Sequence, residues 1–429
     1  MRKRHALRFV LIVINLAFFV LGLGAKMLSK SIQIRDIDKV TIILWTISIP
    51  IIILIILSFF IEHHIEKGFR YFWNHMIIQN SLELQMIDAG IMIQRGSLVE
   101  LPKIGLEFSK DMSSGVLRIR NALKFNRKLD DVVMSSALRK YIVERHYCTD
   151  DGNWYVYELV DGSVSFKQAF CSLNEFLDYS NTIPIYSLFL DRRTAPKLQS
   201  MLVAGQTGSG KTYAIYSLLM QMLYKRIPFH LFYADPKGSS LAVIGQAIAP
   251  ERTAVDIDEI ITMLEDFVSL MRERKSELKE KLKSRIDADY STFGLSPYIF
   301  ICDEYASFAS VLASSKKEVR DKVKALLYEV ILQGRQLGFA IILSMQKSDA
   351  SLIDTALREN IPLKIVLGNS ESQTYVTAFG AGVEIPNRNY SVGEGVFMEP
   401  TLAPEPKLVQ FPYLNFDILD ACTKAGLSH

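Results

Sequence analysis

Cysteine is scarce and scattered: Cys148, Cys171, Cys302 and Cys422 are the only four, with no C-x-x-C pair. That spacing excludes a disulfide framework and a cysteine-rich zinc site, and it suits a reducing compartment. A surplus of one charge is missing too, since 49 Lys and Arg face 46 Asp and Glu for a net +3. Net charge therefore names no polyanionic partner, and any nucleic-acid contact has to come from a local patch. Internal repeats and low-complexity tracts are also absent. At 429 residues the chain has room for two or three domains and a sizeable core, which excludes a small stapled scaffold or a disordered protein.

Long apolar runs are present, and they lie near the N-terminus. Val40 to Ile61 holds no charged residue and spans about 22 positions, against roughly 20 needed to cross a hydrocarbon core. Phe9 to Ala25 is a second uncharged run of about 17. Two transmembrane helices, about 9–25 and 40–61, are expected. A cleaved signal peptide is the alternative for the first, because Arg2, Lys3 and Arg4 precede it and Gly22, Gly24 and Ala25 are small. Either version leaves the residues after Ile61 on the side of the original N-terminus. Basic residues flank both ends of the first run (Arg2, Lys3, Arg4 and Arg8; Lys26, Lys30, Arg35 and Lys39), so their count does not fix the orientation. Pro50 in the second run is tolerable as a kink in lipid.

From Glu62 to about Asn80 the chain turns polar and aromatic, with His63, His64 and His75 as a possible but disfavoured metal cluster. Leu82 to Asp178 alternates short apolar runs with turn signals at Asp111–Gly115, Asp150–Gly152 and Asp161–Gly162. Val116–Arg120 and Trp154–Val160 read as strands of a small α/β module without a catalytic constellation. Thr182-Ile183-Pro184 and Ala195-Pro196 read as a linker. The expected division is 1–62 for the membrane helices, 63–195 for a juxtamembrane segment and the module, and 196–429 for a third domain.

In that third domain, Gly205-Gln206-Thr207-Gly208-Ser209-Gly210-Lys211-Thr212 satisfies G-x-x-x-x-G-K-[ST] at every fixed position. It follows the strand-like Met201–Ala204 and precedes a helix-like run, the context that a phosphate-binding loop requires. Glycines let successive backbone N–H groups point at phosphate oxygens, Lys211 adds a charge between the β- and γ-phosphates, and the Thr212 hydroxyl ligates Mg²⁺. ATP with Mg²⁺ is the expected ligand, and the supply of ATP puts this domain in the cytoplasm. Apolar strands at Phe229–Ala234, Tyr298–Cys302, Phe339–Ser344 and Leu363–Leu367 alternate with helical patterns at Thr212–Tyr224, about Asp256–Lys283, and Glu318–Leu332. The expected fold is α/β, a RecA-like P-loop NTPase with a mostly parallel sheet covered by helices on both faces.

The strand Tyr298–Cys302 runs into Asp303-Glu304, the paired carboxylates a hydrolytic P-loop site needs. Asp303 would hold the Mg²⁺ shell and Glu304 would polarise the attacking water. Gln346, just past the Phe339–Ser344 strand, is placed to sense the γ-phosphate; an ordinary surface amide is the alternative. Arg335 and Arg358, both at element ends, are candidates for a charge supplied to a neighbouring subunit, which would imply a ring with a pore. Lys316, Lys317 and Arg320 lie in a basic stretch that either lines such a pore and touches DNA phosphates or forms a solvated helix face.

Taken together, Ala204–Thr212, Ala234-Asp-Pro-Lys-Gly238, Ile301-Cys-Asp-Glu-Tyr305, Gly334-Arg335, Leu343–Lys347 and Asn360-Ile-Pro362 resemble the FtsK/SpoIIIE family of hexameric DNA translocases over about 199–414. The Gly393–Phe397 hairpin and the extended Lys407–Gln410 resemble that family's closing strands. By the resemblance Asp235 and Lys237 belong to a D-P-K segment that is nucleotide-proximal or structural. Two membrane spans, a short module and Leu101–Arg120 with Asp151–Tyr157 look more narrowly like the TcpA-type coupling ATPases of conjugative elements. That branch implies a homo-hexamer that pumps DNA without reading its sequence, with relaxase and conjugation-channel proteins as partners. About 15 residues follow Leu414, too few for the DNA-reading winged helix of the chromosome-segregating members, so sequence-directed translocation is not expected. Lys364 stands where those members have arginine, which leaves the trans charge donor open. Protein threading by the same engine, chromosome partitioning, and a nucleotide-binding membrane scaffold are the competing readings.

Overall fold

The computed structural model describes residues 3–32, 37–96, 98–122, 125, 137–283, 285, 287–346, 353, 355–383, 385–386 and 389–426. Arg2, Arg35 and Lys347 of the sequence readings lie outside the described residues. The chain divides into two compact units, Met1–Val164 and Ser165–His429.

The first unit opens with α1 (Lys3–Ile32) and α2 (Ile37–Glu62), each longer than the apolar run within it. Phe9–Leu28 and Lys39–Glu62 are long and apolar enough to cross a membrane, by length and composition. Most of their large apolar side chains are exposed, the reverse of a soluble core helix. Phe19 stacks on Trp45 and Ser48 hydrogen-bonds Asn15 between the two helices. Helix α3 (Phe69–Asp88) follows, then a short hairpin of β1 (Ile93–Arg95) and β2 (Leu98–Glu100). Strands β3 (Ile104–Phe108), β4 (Ser114–Arg120), β5 (Tyr141–Cys148) and β6 (Trp154–Asp161) form an antiparallel sheet in the order β3-β4-β6-β5. Ile78, Leu82 and Met86 of α3 pack with Leu106, Leu117, Ile119 and Leu159 of the sheet. The hairpin turns form where their Asp residues can cap them: Asp111 accepts from Ser109 and Ser113, and Asp151 from Thr149 and Asn153.

The histidine cluster is a buried hydrogen-bonded pair. His75 Nε2 lies 3.1 Å from the Leu106 carbonyl, which can only accept, so that nitrogen carries the proton. His75 Nδ1 then accepts from His63 Nδ1, 3.1 Å away. Among the described residues no group of three or more His, Cys, Asp or Glu is arranged to hold a metal. Burial, then the neighbouring His63 and His64, push the His75 pKa down to about 4, with Glu62 opposing. The unfolded chain takes up this proton first. The pair's contribution is therefore intact above the ordinary value of 6.5 and lost as pH falls toward 4. The expected result is a falling unfolding midpoint across that window, with a smaller fall in His75→Asn.

The second unit is built on eight strands: β8 (Met201–Gly205), β9 (His230–Ala234), β10 (Thr253–Ala254), β11 (Tyr298–Cys302), β12 (Phe339–Met345), β13 (Leu363–Leu367), β14 (Glu394–Glu399) and β15 (Ala403–Gln410). β7 (Ala169–Phe170) and β16 (Tyr413–Leu414) form a separate parallel pair. The large sheet has the order β10-β9-β11-β12-β8-β13-β14-β15. All pairs from β10 to β13 are parallel, and β14 and β15 close the edge antiparallel.

The helices of this unit are α4 (Leu173–Ser180), α5 (Lys211–Leu223), α6 (Ser240–Ile248), α7 (Ile257–Leu282), α8 (Tyr305–Ala313), α9 (Lys317–Leu337), α10 (Thr355–Asn360), α11 (Ser372–Phe379) and α12 (Ile418–Gly426). Alternate strand residues meet different layers, as a period of two requires. Phe232, Phe300 and Phe339 meet Phe267 of α7. Leu231, Ile299, Ile301 and Ile342 pack with Leu218 and Leu219 of α5, Ile244 of α6 and Cys422 of α12. Continuous apolar strands are thus covered on both faces. Asp256 caps α7 by accepting from Asp258 N, which starts that helix where its sequence pattern starts. Helix α9 runs past the expected Leu332 to Leu337. It carries Gly334 where a Cβ would come 2.3 Å from the Phe339 carbonyl oxygen, so helix and strand touch there.

The second unit begins at Ser165, about thirty residues before the division expected from Pro196. Phe170, Phe176, Leu188, Phe189 and Leu190 belong to its core, and Gln221 clasps the Phe189 backbone, accepting from its N at 2.8 Å and donating to its O at 3.0 Å. The prolines that punctuate this stretch mark turns inside a packed segment.

Candidate nucleotide site

β8 ends at Gly205, and the chain turns through residues 206–210 before α5 starts at Lys211. Glycine is required at Gly210: its φ is 93°, and a Cβ there would stand 2.5 Å from the Gly393 nitrogen. That nitrogen donates to the Ser209 carbonyl at 2.8 Å, so the entry to β14 braces the loop. Helix α5 has no capping side chain and no acidic residue in its first turn, which leaves its N-terminal amides for an anion. Gly205 and Ser209 are buried behind the loop.

The acids arrive from β11. Register pairs Cys302 with Ala234 on one side and Leu343 on the other, so Asp235, Asp303 and Ser344 follow in a row at the carboxyl edge. Asp303 Oδ1 accepts from Ser344 Oγ at 2.6 Å and from Glu304 N at 3.0 Å. Glu304 has φ 51° and ψ 52°, a left-handed conformation that costs a residue with a side chain about 1–3 kcal/mol. Lys211 Nζ stands 3.6 Å from Glu304 Oε2 and 3.9 Å from Asp303 Oδ1. Lys211 and Glu304 are both buried. β12 lies between β8 and β11, so Gln346, just past its end, lines the same cavity as the lysine and the acids.

A cavity of about 410 Å³ joins these groups, lined by Gln206, Thr207, Gly208, Gly210, Lys211, Thr212, Asp303, Glu304 and Gln346. The Asp303 carboxylate and Thr212 hydroxyl are hard oxygen donors of the kind Mg²⁺ takes together with phosphate oxygens. Tyr213, Lys237, Ser239, Ser240 and Val392 complete the lining. Of these only Lys237 was singled out in the sequence. Ser344, a serine inside an otherwise apolar strand, carries its signal in the sequence as that one polar interruption.

The D-P-K segment divides its labour. Asp235 is fully buried and accepts from Lys237 N, Ser239 N and Oγ, and Ala242 N at 2.7–3.2 Å, which makes it the organiser of the loop into α6. Lys237 reaches the cavity, its Nζ 3.3 Å from Glu304 Oε2. Asp235→Ala is expected to lower unfolding free energy by about 3 kcal/mol, because four hydrogen bonds to a fully buried carboxylate, one of them from the buried Ala242 N, are lost. Chemical denaturation measures this.

Arg335 is exposed near the end of α9, and Arg358 is buried on α10; neither lines the cavity of its own chain. Burial, then Arg358, push the Lys364 pKa down. Lys316 and Lys317 are exposed at the start of α9, and the half-buried Arg320 donates from Nη1 to the Ala313 carbonyl at 3.3 Å.

A parallel sheet with a P-loop, two acids at the next-but-one strand and a polar residue between is the fold of a P-loop ATPase. The sequence profile of the FtsK/SpoIIIE family matches residues 186–328. Over those residues the P-loop unit is similar to the FtsK/SpoIIIE family. The FtsK domain-containing protein YdcQ of Bacillus subtilis is 28% identical over 186 residues, 43% of this chain and 37% of that protein. The DNA translocase FtsK of Chlorobaculum tepidum is 24% identical over 242 residues, 52% of this chain and 28% of that protein. The match thus spans well under half the length of either relative. Among solved structures, the pCW3 conjugation coupling protein TcpA with ATPγS aligns over 81% of this chain and 99% of its own, at 14% identity and a TM-score of 0.49.

Proposed function

We propose that this chain is a membrane-anchored ATPase that drives DNA through a ring of its own copies, as a coupling protein that delivers DNA to a secretion channel in conjugative transfer. One observation carries the hydrolytic part: Glu304 sits one residue beyond Asp303, beside Lys211, in a single cavity with the P-loop. Gly205 to Thr212 hold the triphosphate, with Lys211 on its β- and γ-oxygens. Thr212 and Asp303 would hold Mg²⁺, which supplies charge neutralisation on the phosphates when bound. Glu304 accepts a proton from the attacking water, and Gln346 orients that water or the γ-phosphate. Arg335 or Arg358 gives a charge to the neighbour's site in a hexamer. The α1–α2 helices anchor the chain, with the FtsK-type unit in the cytoplasm. The conjugative assignment is supported by the order of two apolar helices, small module and FtsK-type unit, and it brings relaxase and channel proteins as partners.

Full-length protein in detergent, assayed for ATP hydrolysis with single-stranded, double-stranded or no DNA at two salt concentrations, tests the reading. Salt-sensitive stimulation is expected. Hydrolysis that ignores both DNA forms would transfer the engine to protein cargo. Replacing Lys316, Lys317 and Arg320 together by Ala should flatten the salt slope of DNA binding by roughly 2 to 3 and leave nucleotide affinity unchanged. An unaltered slope moves the DNA contact elsewhere.

A further inference from the structure

Two lysines converge on one carboxylate oxygen. Glu304 Oε2 lies 3.3 Å from Lys237 Nζ and 3.6 Å from Lys211 Nζ. The two cations are held differently. Lys211 starts the P-loop helix and is bound to follow phosphate oxygens when they enter. Lys237 belongs to the loop after β9, whose backbone is fixed by the buried Asp235 carboxylate, including a 3.2 Å bond from Lys237 N itself. Its side chain is 46% exposed and lines the cavity, so a rigid base carries a head free to adjust. Glu304, by contrast, has a side chain only 10% exposed, on a backbone already in the left-handed region.

The charges close among Lys211, Lys237, Asp303 and Glu304, two of each sign. A triphosphate draws off Lys211, and Glu304 keeps Lys237. We propose that Lys237 is a positioning residue for the water-activating carboxylate, holding Glu304 aimed into the cavity once Lys211 has turned to the phosphates. This inference rests on the hydrolytic reading above and deepens it. Lys237 acts on the orientation of Glu304 rather than on binding, so its loss falls on turnover. A displacement of about 1 Å at a catalytic group can cost on the order of 10²-fold in rate.

The test is full-length Lys237→Ala, Lys237→Gln and Lys237→Arg, each measured for kcat, KM, affinity for a non-hydrolysable ATP analogue, and thermal unfolding. Expected are a fall in kcat of about 10- to 100-fold for Ala and Gln, KM and analogue affinity within about 3-fold, and substantial recovery in Arg, which keeps charge and reach. Wild-type kcat in Lys237→Ala overturns the proposal. So does an affinity loss as large as the kcat loss, which would make Lys237 a phosphate ligand. A lowered unfolding midpoint with no recovery in Arg would make it a structural residue, and overturns the proposal as well. Absence of hydrolysis in the wild-type protein is a separate failure, because it removes the hydrolytic reading before any variant is compared.

Discussion

Glu304→Gln is expected to bind ATP while hydrolysis falls about 10²- to 10⁴-fold, the range a positioned general base supplies. The amide keeps the shape of the carboxylate and its place on the left-handed turn after β11, but it cannot take a proton from water. Affinity should hold or rise. The substitution removes a negative charge from beside Lys211 and Lys237, 3.6 and 3.3 Å from the present Oε2, so both ammonium groups face an incoming triphosphate with less compensation. Equilibrium binding of ATP together with steady-state hydrolysis checks both halves. Turnover within a few-fold of wild type would remove Glu304 from its role.

Lys211→Ala should abolish hydrolysis through weakened phosphate binding. Truncating one member of a buried charged set costs about 2–5 kcal/mol, equivalent to roughly 30-fold to several thousand-fold in affinity. The loss is enlarged by what stays behind, since Asp303 and Glu304 would meet the phosphates with Lys237 as the remaining nearby cation. The damage should stay local. The Gly393 brace on Ser209 and the Asp235 bonds do not involve the Lys211 side chain, so the unfolding midpoint should move by only a few degrees. Calorimetric titration with a non-hydrolysable analogue, paired with thermal unfolding, separates the two effects. Retained affinity in a folded Lys211→Ala protein would place the phosphates elsewhere.

Much of the site is legible in the sequence because its chemistry is local. A P-loop needs glycines, lysine and a hydroxyl within eight positions, and a hydrolytic acid pair needs to end an apolar strand. Tyr298–Cys302 and Leu363–Leu367 have the strand limits their apolar runs suggest, since four of the five residues in each are buried. Less legible was the start of the second unit, because Phe170 to Leu190 carries turn residues that imitate a linker while its apolar side chains enter a core assembled from distant segments.

By itself the sequence determined that this chain has two membrane-length apolar helices, carries a G-x-x-x-x-G-K-[ST] loop at Gly205–Thr212 and ends a buried strand in Asp303-Glu304. Only the tertiary structure decided that Lys237 meets Glu304, that Ser344 holds Asp303, and that Gly393 braces the P-loop. These contacts follow from the order β9-β11-β12-β8 and its register, which line up strand ends from remote parts of the chain. Spacing along a sequence carries no record of which strands will lie side by side, because that choice is made by packing both faces of the sheet at once.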